Sequence, residues 1–222
     1  MKKILKIALI VILIIVLVVG GYFITLNMTK KQALETVDKM FTALKTGDEE
    51  QIKQYINIED VIEENATSED NIADNQDMEK AMLKNLNYEV VSTDVKINEC
   101  TMKLNISNKN LKTVFGNYIS KAFSVAFSQA FGAMTEEEMD EQLKQYFIEQ
   151  YNSEDIETVT TEVTINMKKE DGKWNIDCDE DAFVDAVLPG YREVEESLNN
   201  MNQEEYKKDI NLNKKLCPSF YT

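Results

Sequence analysis

Histidine is absent from the 222 residues. That removes His-based triads, His-ligated zinc and a His general base in one step. Two prolines and seven glycines exclude collagen-like or linker-like chains. There is one tryptophan, Trp174, and no Gly-rich phosphate loop of either the Walker or the dinucleotide type. Three cysteines (Cys100, Cys178, Cys217) are too few for a disulfide framework. Cys100 and Cys178 fall at apolar strand positions. Buried free thiols are the simpler reading, and a bridge between them requires that their strands be neighbours.

Positive charge is also scarce, with 24 Lys+Arg against 40 Asp+Glu, a net charge of −16. Hydrophobic residues nonetheless make up 43%, enough for a packed core. The first residues are unlike the rest. Lys2, Lys3 and Lys6 precede a run from Ile7 to Leu26 that holds no charge and shows no polar face. Twenty helical residues rise about 30 Å, the hydrocarbon thickness of a bilayer. An uncleaved anchor is favoured over a cleaved signal peptide, because the run exceeds the usual apolar length and Gly20-Gly21-Tyr22 is a poor cleavage site. No cysteine follows at which a lipid could be attached. Lysines before the run place that side in the cytoplasm. The expected organisation is a basic cytoplasmic segment (1–6), a single-pass signal anchor (7–26), an extracytoplasmic domain (28–190) and a polar C-terminal extension (191–222). Setting aside Lys2, Lys3 and Lys6 leaves 21 bases against 40 acids outside, a net charge of −19. That charge argues against nucleic acid and anionic lipid headgroups as partners, because like charges repel within a Debye length.

An amphipathic helix is expected from Thr29 to Lys45, carrying Leu34, Val37, Met40, Phe41 and Leu44, with Gly47 as its C-terminal glycine. Asp48 and Gln51 have capping-box spacing and open a short helix through Ile52, Tyr55 and Ile56. Residues 57–77 hold eight acids and no base and read as an acidic loop, with one helical turn at Val61-Ile62. A helix from Met78 to Leu86 follows.

The apolar period then switches to two. Val91, Thr93, Val95 and Ile97 alternate with polar residues, Asn98-Glu99 forms a turn, and Cys100, Met102, Leu104 and Ile106 continue the apolar face. A second hairpin has Val159, Thr161, Val163, Ile165 and Met167 on one face, with Thr158, Thr160, Glu162, Thr164, Asn166 and Lys168 opposite. Asp171-Gly172 makes its turn, and Trp174, Ile176 and Cys178 continue the apolar face. Between the hairpins, Asn110 caps a helix over Leu111–Phe131, ended by Gly132. Thr135 and Glu138 form a capping box for Glu136–Tyr151. Asp179 caps a helix through Phe183, Val184, Val187 and Leu188, ended by Pro189-Gly190. Tyr191, Val194, Leu198 and Met201 suggest a further helix that docks or frays. The fold class is α+β, an antiparallel four-stranded curved sheet packed against helices.

The helix Leu111–Phe131 has only Lys112 and Lys121 as charges. Its Phe115, Ile119, Phe123 and Phe127, with Ser120 and Ser124, are the candidate lining of a pocket or interface. Phe115, Phe123 and Phe127 are expected on the concave side of the sheet, either as core or as the wall of an apolar cavity.

Ala43-Leu44-Lys45-Thr46-Gly47-Asp48, then Asn110-Leu111-Lys112-Thr113-Val114-Phe115, and the closing Glu170-Asp171-Gly172-Lys173-Trp174-Asn175-Ile176-Asp177 appear in that order. This series resembles exported or membrane-anchored proteins of low-GC Gram-positive bacteria with a domain of unknown function. The resemblance covers about residues 28–190 and implies the nuclear-transport-factor-2-like, or cystatin-like, cone. The anchor in place of a lipidation site, and the C-terminal extension, depart from that family.

Enzymes of the wider fold use an Asp or a His–Asp pair in the cone, and the pair cannot exist here. A lone buried carboxylate is the enzymatic alternative, but by strand parity Asp94 and Asp177 face away from the core. Asp177-Cys178-Asp179-Glu180-Asp181 imitates the start of a calcium loop and then fails, with Ala182 where Gly is needed and Leu188 where the bidentate Glu belongs. No cofactor or metal is implied. The expected function is a non-catalytic module binding a cell-surface protein or an apolar small molecule.

Overall fold

The computed structural model describes residues 2–55 and 72–200. The acidic stretch 57–71, Ile56, Met201 and Cys217 lie outside the described residues.

Helix α1 runs without a break from Lys2 to Thr46. The membrane-length run and the first amphipathic helix, expected as two elements, are therefore one rod of roughly 67 Å at 1.5 Å per residue. Nothing between Leu26 and Thr29 breaks a helix, since Asn27 and Met28 both tolerate one. The rod changes character along its length. Ile12 to Val19 are all exposed, whereas Ala33, Val37 and Met40 are fully buried and Phe41, Ala43 and Leu44 nearly so. Gly47, at φ 68°, ends it in the left-handed region that glycine adopts without penalty. Asp48 then accepts from Gln51 N at 3.0 Å and caps α2 (Glu49–Ile52). Helix α3 (Ile72–Lys84) begins earlier and ends sooner than the expected Met78–Leu86.

Strands β1 (Asn87–Lys96), β2 (Glu99–Lys109), β3 (Thr158–Glu170) and β4 (Lys173–Cys178) form an antiparallel sheet in the order β1-β2-β3-β4. The expected register of β3 is observed, with Val163, Ile165 and Met167 buried and Thr158, Thr160, Glu162, Thr164, Asn166 and Lys168 exposed. Strand β1 departs from expectation. Its register shifts between Val90 and Ser92, so Tyr88 and Val90 share the packed face with Thr93 and Val95. Val91, expected inside, is 49% exposed, because an extra residue at a bulge reverses the side-chain alternation. Ile97, also expected inside, is exposed in the turn. The turn residues are Ile97-Asn98, one position earlier than expected, with Asn98 at φ 62°. Asparagine is among the few residues that accept that conformation.

Helix α1 and helix α6 (Glu180–Val187) cover one face of the sheet. Met40, Phe41 and Leu44 join Met102, Leu104, Ile106, Val163, Ile165, Trp174 and Phe183 in the main core. Phe41 stacks on Tyr88 with centroids 4.2 Å apart. A second apolar cluster joins α3, α4 (Leu111–Ala130) and α5 (Glu136–Asn152) through Ala81, Leu111, Val114, Phe147, Tyr151 and Ile156. The chain is helical again over 191–200. Val194 is buried there and Tyr191 partly buried, so this segment docks on the second cluster.

Gly190 makes the closest backbone approach. At φ 87°, a Cβ would meet Lys112 Cβ at 2.8 Å, Asn110 Oδ1 at 2.9 Å and Lys112 N at 2.9 Å. Beside it, Leu111 N donates to Pro189 O at 2.7 Å, tying the end of α6 to the start of α4. Gly190→Ala should therefore destabilise by about 1–3 kcal/mol, read as a lowered urea midpoint with unchanged m. Gly172→Ala, in open space at φ 83°, bears only the conformational penalty and should cost less.

Candidate functional site

Helix α4 starts from a cap, the Asn110 side chain accepting from Thr113 N at 3.4 Å. Its first half is held by α5. Tyr118 meets Phe147 edge-on at 5.8 Å and stacks with Phe115 at 6.4 Å. Asn117 Nδ2 donates to Gln150 Oε1 at 2.7 Å, and Lys121 Nζ lies 5.7 Å from the Tyr146 ring centroid. Leu111, Val114 and Val125 are the buried residues of the helix.

The sheet is not its partner. Phe115, Phe123 and Phe127, expected on the concave side of the sheet, do not pack there, because α1 and α6 occupy that face and α4 packs on α5. Phe115 and Ile119 are partly buried. Phe123 is 76% exposed, Phe127 68% and Phe131 74%, with the Phe127 and Phe131 rings 4.7 Å apart. Ser120 and Ser124 are exposed beside them. The Ser120 hydroxyl donates to Gly116 O at 2.9 Å, and that of Ser128 to Ser124 O at 3.2 Å. Hydroxyls spent on their own helix leave the ridge apolar in character. Gly132, at φ 70°, turns the chain. Thr135 and Glu138 then form the capping box, Thr135 N donating to Glu138 Oε2 at 2.8 Å. This bond holds the Glu138 carboxyl below its usual range. Glu136 and Glu137 share that first turn, so the end of the ridge is flanked by three carboxylates.

The other polar candidates resolve simply. Asp94 and Asp177 are exposed, as strand parity required, and Asp179 caps α6 by accepting from Ala182 N at 2.9 Å. Among the residues whose side chains are described, no Asp or Glu is buried, and no group of three or more Cys, Asp and Glu could hold a metal ion. Cys100 and Cys178 are free thiols. Strand β3 separates theirs, Cys100 pairing with Met167 and Cys178 with Ile165, so the condition for a bridge is not met. Burial pushes both thiols up to about 11, which suppresses thiolate chemistry near neutral pH.

Sequence reasoning missed Asn108 altogether. It is fully buried, its Nδ2 donating to Met82 O at 2.8 Å and to Val187 O at 2.7 Å, while its Oδ1 accepts from Lys109 N at 2.8 Å. One amide thus ties β2 to α3 and α6. Its position on the packed face, in phase with Leu104 and Ile106, was the available signal.

No family model matches the chain, and no curated protein matches it. Among solved structures it is similar to the crystal structure of a presumed lipoprotein, ycdA, from Bacillus subtilis subsp. subtilis strain 168. The identity is 17% and the TM-score 0.37, over 55% of this chain and 37% of that one. The match thus spans little more than a third of that neighbour's length, and it carries no function across.

Proposed function

We propose that this chain is a membrane-anchored extracytoplasmic protein whose domain, of the nuclear-transport-factor-2-like kind, is a non-catalytic binding module with the α4 ridge as its contact surface. The observation that carries the reading is the exposure of Phe123, Phe127 and Phe131 on a helix end with no charged residue after Lys121. Large rings held in water by a protein of such net charge are costly unless a partner covers them. The rings stand out from a helix and enclose nothing, which suits a protein partner better than an apolar small molecule. Glu136, Glu137 and Glu138 at the rim select a partner whose apolar groove is edged by basic groups. The enzymatic alternative needs a buried carboxylate, and the described residues offer none. For the anchor, α1 includes a stretch long and apolar enough to cross a membrane.

Two measurements test this. External protease on intact cells should remove the domain, whereas a mature protein beginning after Gly21 in the medium would refute the anchor. The triple change Phe123→Ser, Phe127→Ser, Phe131→Ser should leave the thermal midpoint nearly unchanged, since exposed side chains away from special features contribute within about 0.5 kcal/mol. A photo-crosslinker in place of Phe127 should capture a discrete partner on cells, and one in place of Glu162 should not. A loss of about 3–5 kcal/mol per ring, as for core phenylalanines, would make the ridge structural and sink the proposal.

A further inference from the structure

The continuity of α1 fixes which end of the domain meets the bilayer. The charge-free run ends at Leu26, and the first buried residue beyond it is Thr29, less than one helical turn later. No linker separates anchor from domain. Lys169 Nζ donates to Gln32 Oε1 at 2.7 Å, and Lys169 N donates to Asn98 O at 2.8 Å. At the other end of the sheet, Tyr88 bonds Asp38 and stacks on Phe41. Strands β1 and β3 therefore run toward the anchor and β2 and β4 away from it. Both two-residue turns, Ile97-Asn98 and Asp171-Gly172, lie at the end nearest the membrane.

That end has the opposite charge to the rest. Lys30 and Lys31 on α1, Lys96 beside the first turn, and Lys168, Lys169 and Lys173 around the second face three acids, Glu99, Glu170 and Asp171. The net charge of these groups is +3, leaving −22 on the remainder of residues 27–222. The acids next behind them are Glu35, which pairs with Lys31 at 3.9 Å, and Asp94 and Asp177, two rungs farther from the tips than Lys96 and Lys168. Glu170 is partly neutralised by Lys168 at 2.8 Å. At the first tip Ile97 is 53% exposed, next to Asn98, whose carbonyl accepts from Lys169 N and so lies near the level of Gln32 on α1. Attraction to a charged surface fades over a Debye length of ~8 Å at physiological salt, so only groups at this level feel it.

We propose that the two hairpin tips dock on anionic lipid headgroups of the bilayer that holds α1, with the acidic bulk of the domain repelled outward. This fixes the domain upright and turns the opposite end of the sheet, where Tyr88 stacks on Phe41, away from the lipid. The inference rests on the anchor reading given above.

Trp174, the sole tryptophan, sits at the base of the second tip, its ring centroid 6.0 Å from Lys169 Nζ, and reports on the contact. The full chain is reconstituted in phosphatidylcholine vesicles with and without phosphatidylglycerol, each containing a lipid spin-labelled at the headgroup. Quenching of Trp174 fluorescence should be roughly twofold greater with phosphatidylglycerol, and that increment should vanish at about 1 M salt, where the Debye length is ~3 Å. Replacing Lys31→Gln, Lys96→Gln and Lys173→Gln, all exposed residues, brings the local charge to zero and should abolish the increment without shifting the thermal midpoint. Equal quenching in the two vesicle types, or an undiminished increment in the variant, with the chain resisting alkaline extraction, overturns the docking and leaves the anchor standing. A chain extracted by alkali refutes the anchor, and the docking with it.

Discussion

Val163→Asp is expected to abolish cooperative folding. Val163 is 3% exposed, pairs with Leu104 across the β2–β3 ladder and lies among side chains that are fully buried. A carboxylate there has no partner and costs several kcal/mol. Total stability is only about 5–15 kcal/mol. The neighbouring Glu162→Ala should change stability by no more than about 0.5 kcal/mol. Its pair with Lys103 spans 2.8 Å but leaves both side chains about half exposed, a geometry that contributes little. Circular dichroism melts of the two variants check this. Equal effects would mean that the register of β3 is wrong.

The second large effect is expected at Asn108. Asn108→Asp keeps shape and volume but removes both N–H donors, so the carbonyls of Met82 and Val187 lose their partner and face a charge instead. Breaking a buried network in this way costs about 3–5 kcal/mol. The introduced carboxyl, raised by burial, would titrate above its unfolded value of about 3.9. The protonated form is then favoured by folding. The deficit should be smallest below about pH 4 and grow as the pH rises through the folded-state value. Urea titrations at pH 4 and pH 7 measure the difference. An unchanged midpoint at pH 7 would show that the amide does not hold α3 and α6 to β2.

Much of this molecule is decided by rules that act within a few residues, and those were legible. The caps at Asp48, Asn110, Thr135 and Asp179 depend on one side chain reaching a backbone N–H three positions on, so sequence spacing alone locates them. The β3–β4 hairpin follows from strict alternation and an Asp-Gly turn, with Asp171 at φ 49° and Gly172 at φ 83°. The membrane-length run needs only its composition. Opposite these stand features that no local rule encodes. The bulge at Val91 is set by pairing with β2, and it reversed the face of half a strand.

The α4 ridge shows the difference most directly. By itself the sequence determined that Leu111–Ala130 is a helix and that Phe115, Ile119, Phe123, Phe127 and Phe131 recur every four residues. Four residues advance about 400° around a helix of 3.6 residues per turn, so the series drifts about 40° per step. Phe115 begins near the stripe of Leu111, Val114 and Tyr118 that faces α5, and by Phe131 the series has wound to the far side. Only the tertiary structure decided how far α5 follows that drift, and therefore which rings are core and which stand in water. It likewise decided that both hairpin turns share the end of the sheet from which the apolar half of α1 extends. Strand direction relative to a helix is fixed by long-range packing of Phe41 on Tyr88 and of Gln32 beside Lys169, contacts between residues 47 and 137 positions apart, whose proximity no short-range pattern specifies.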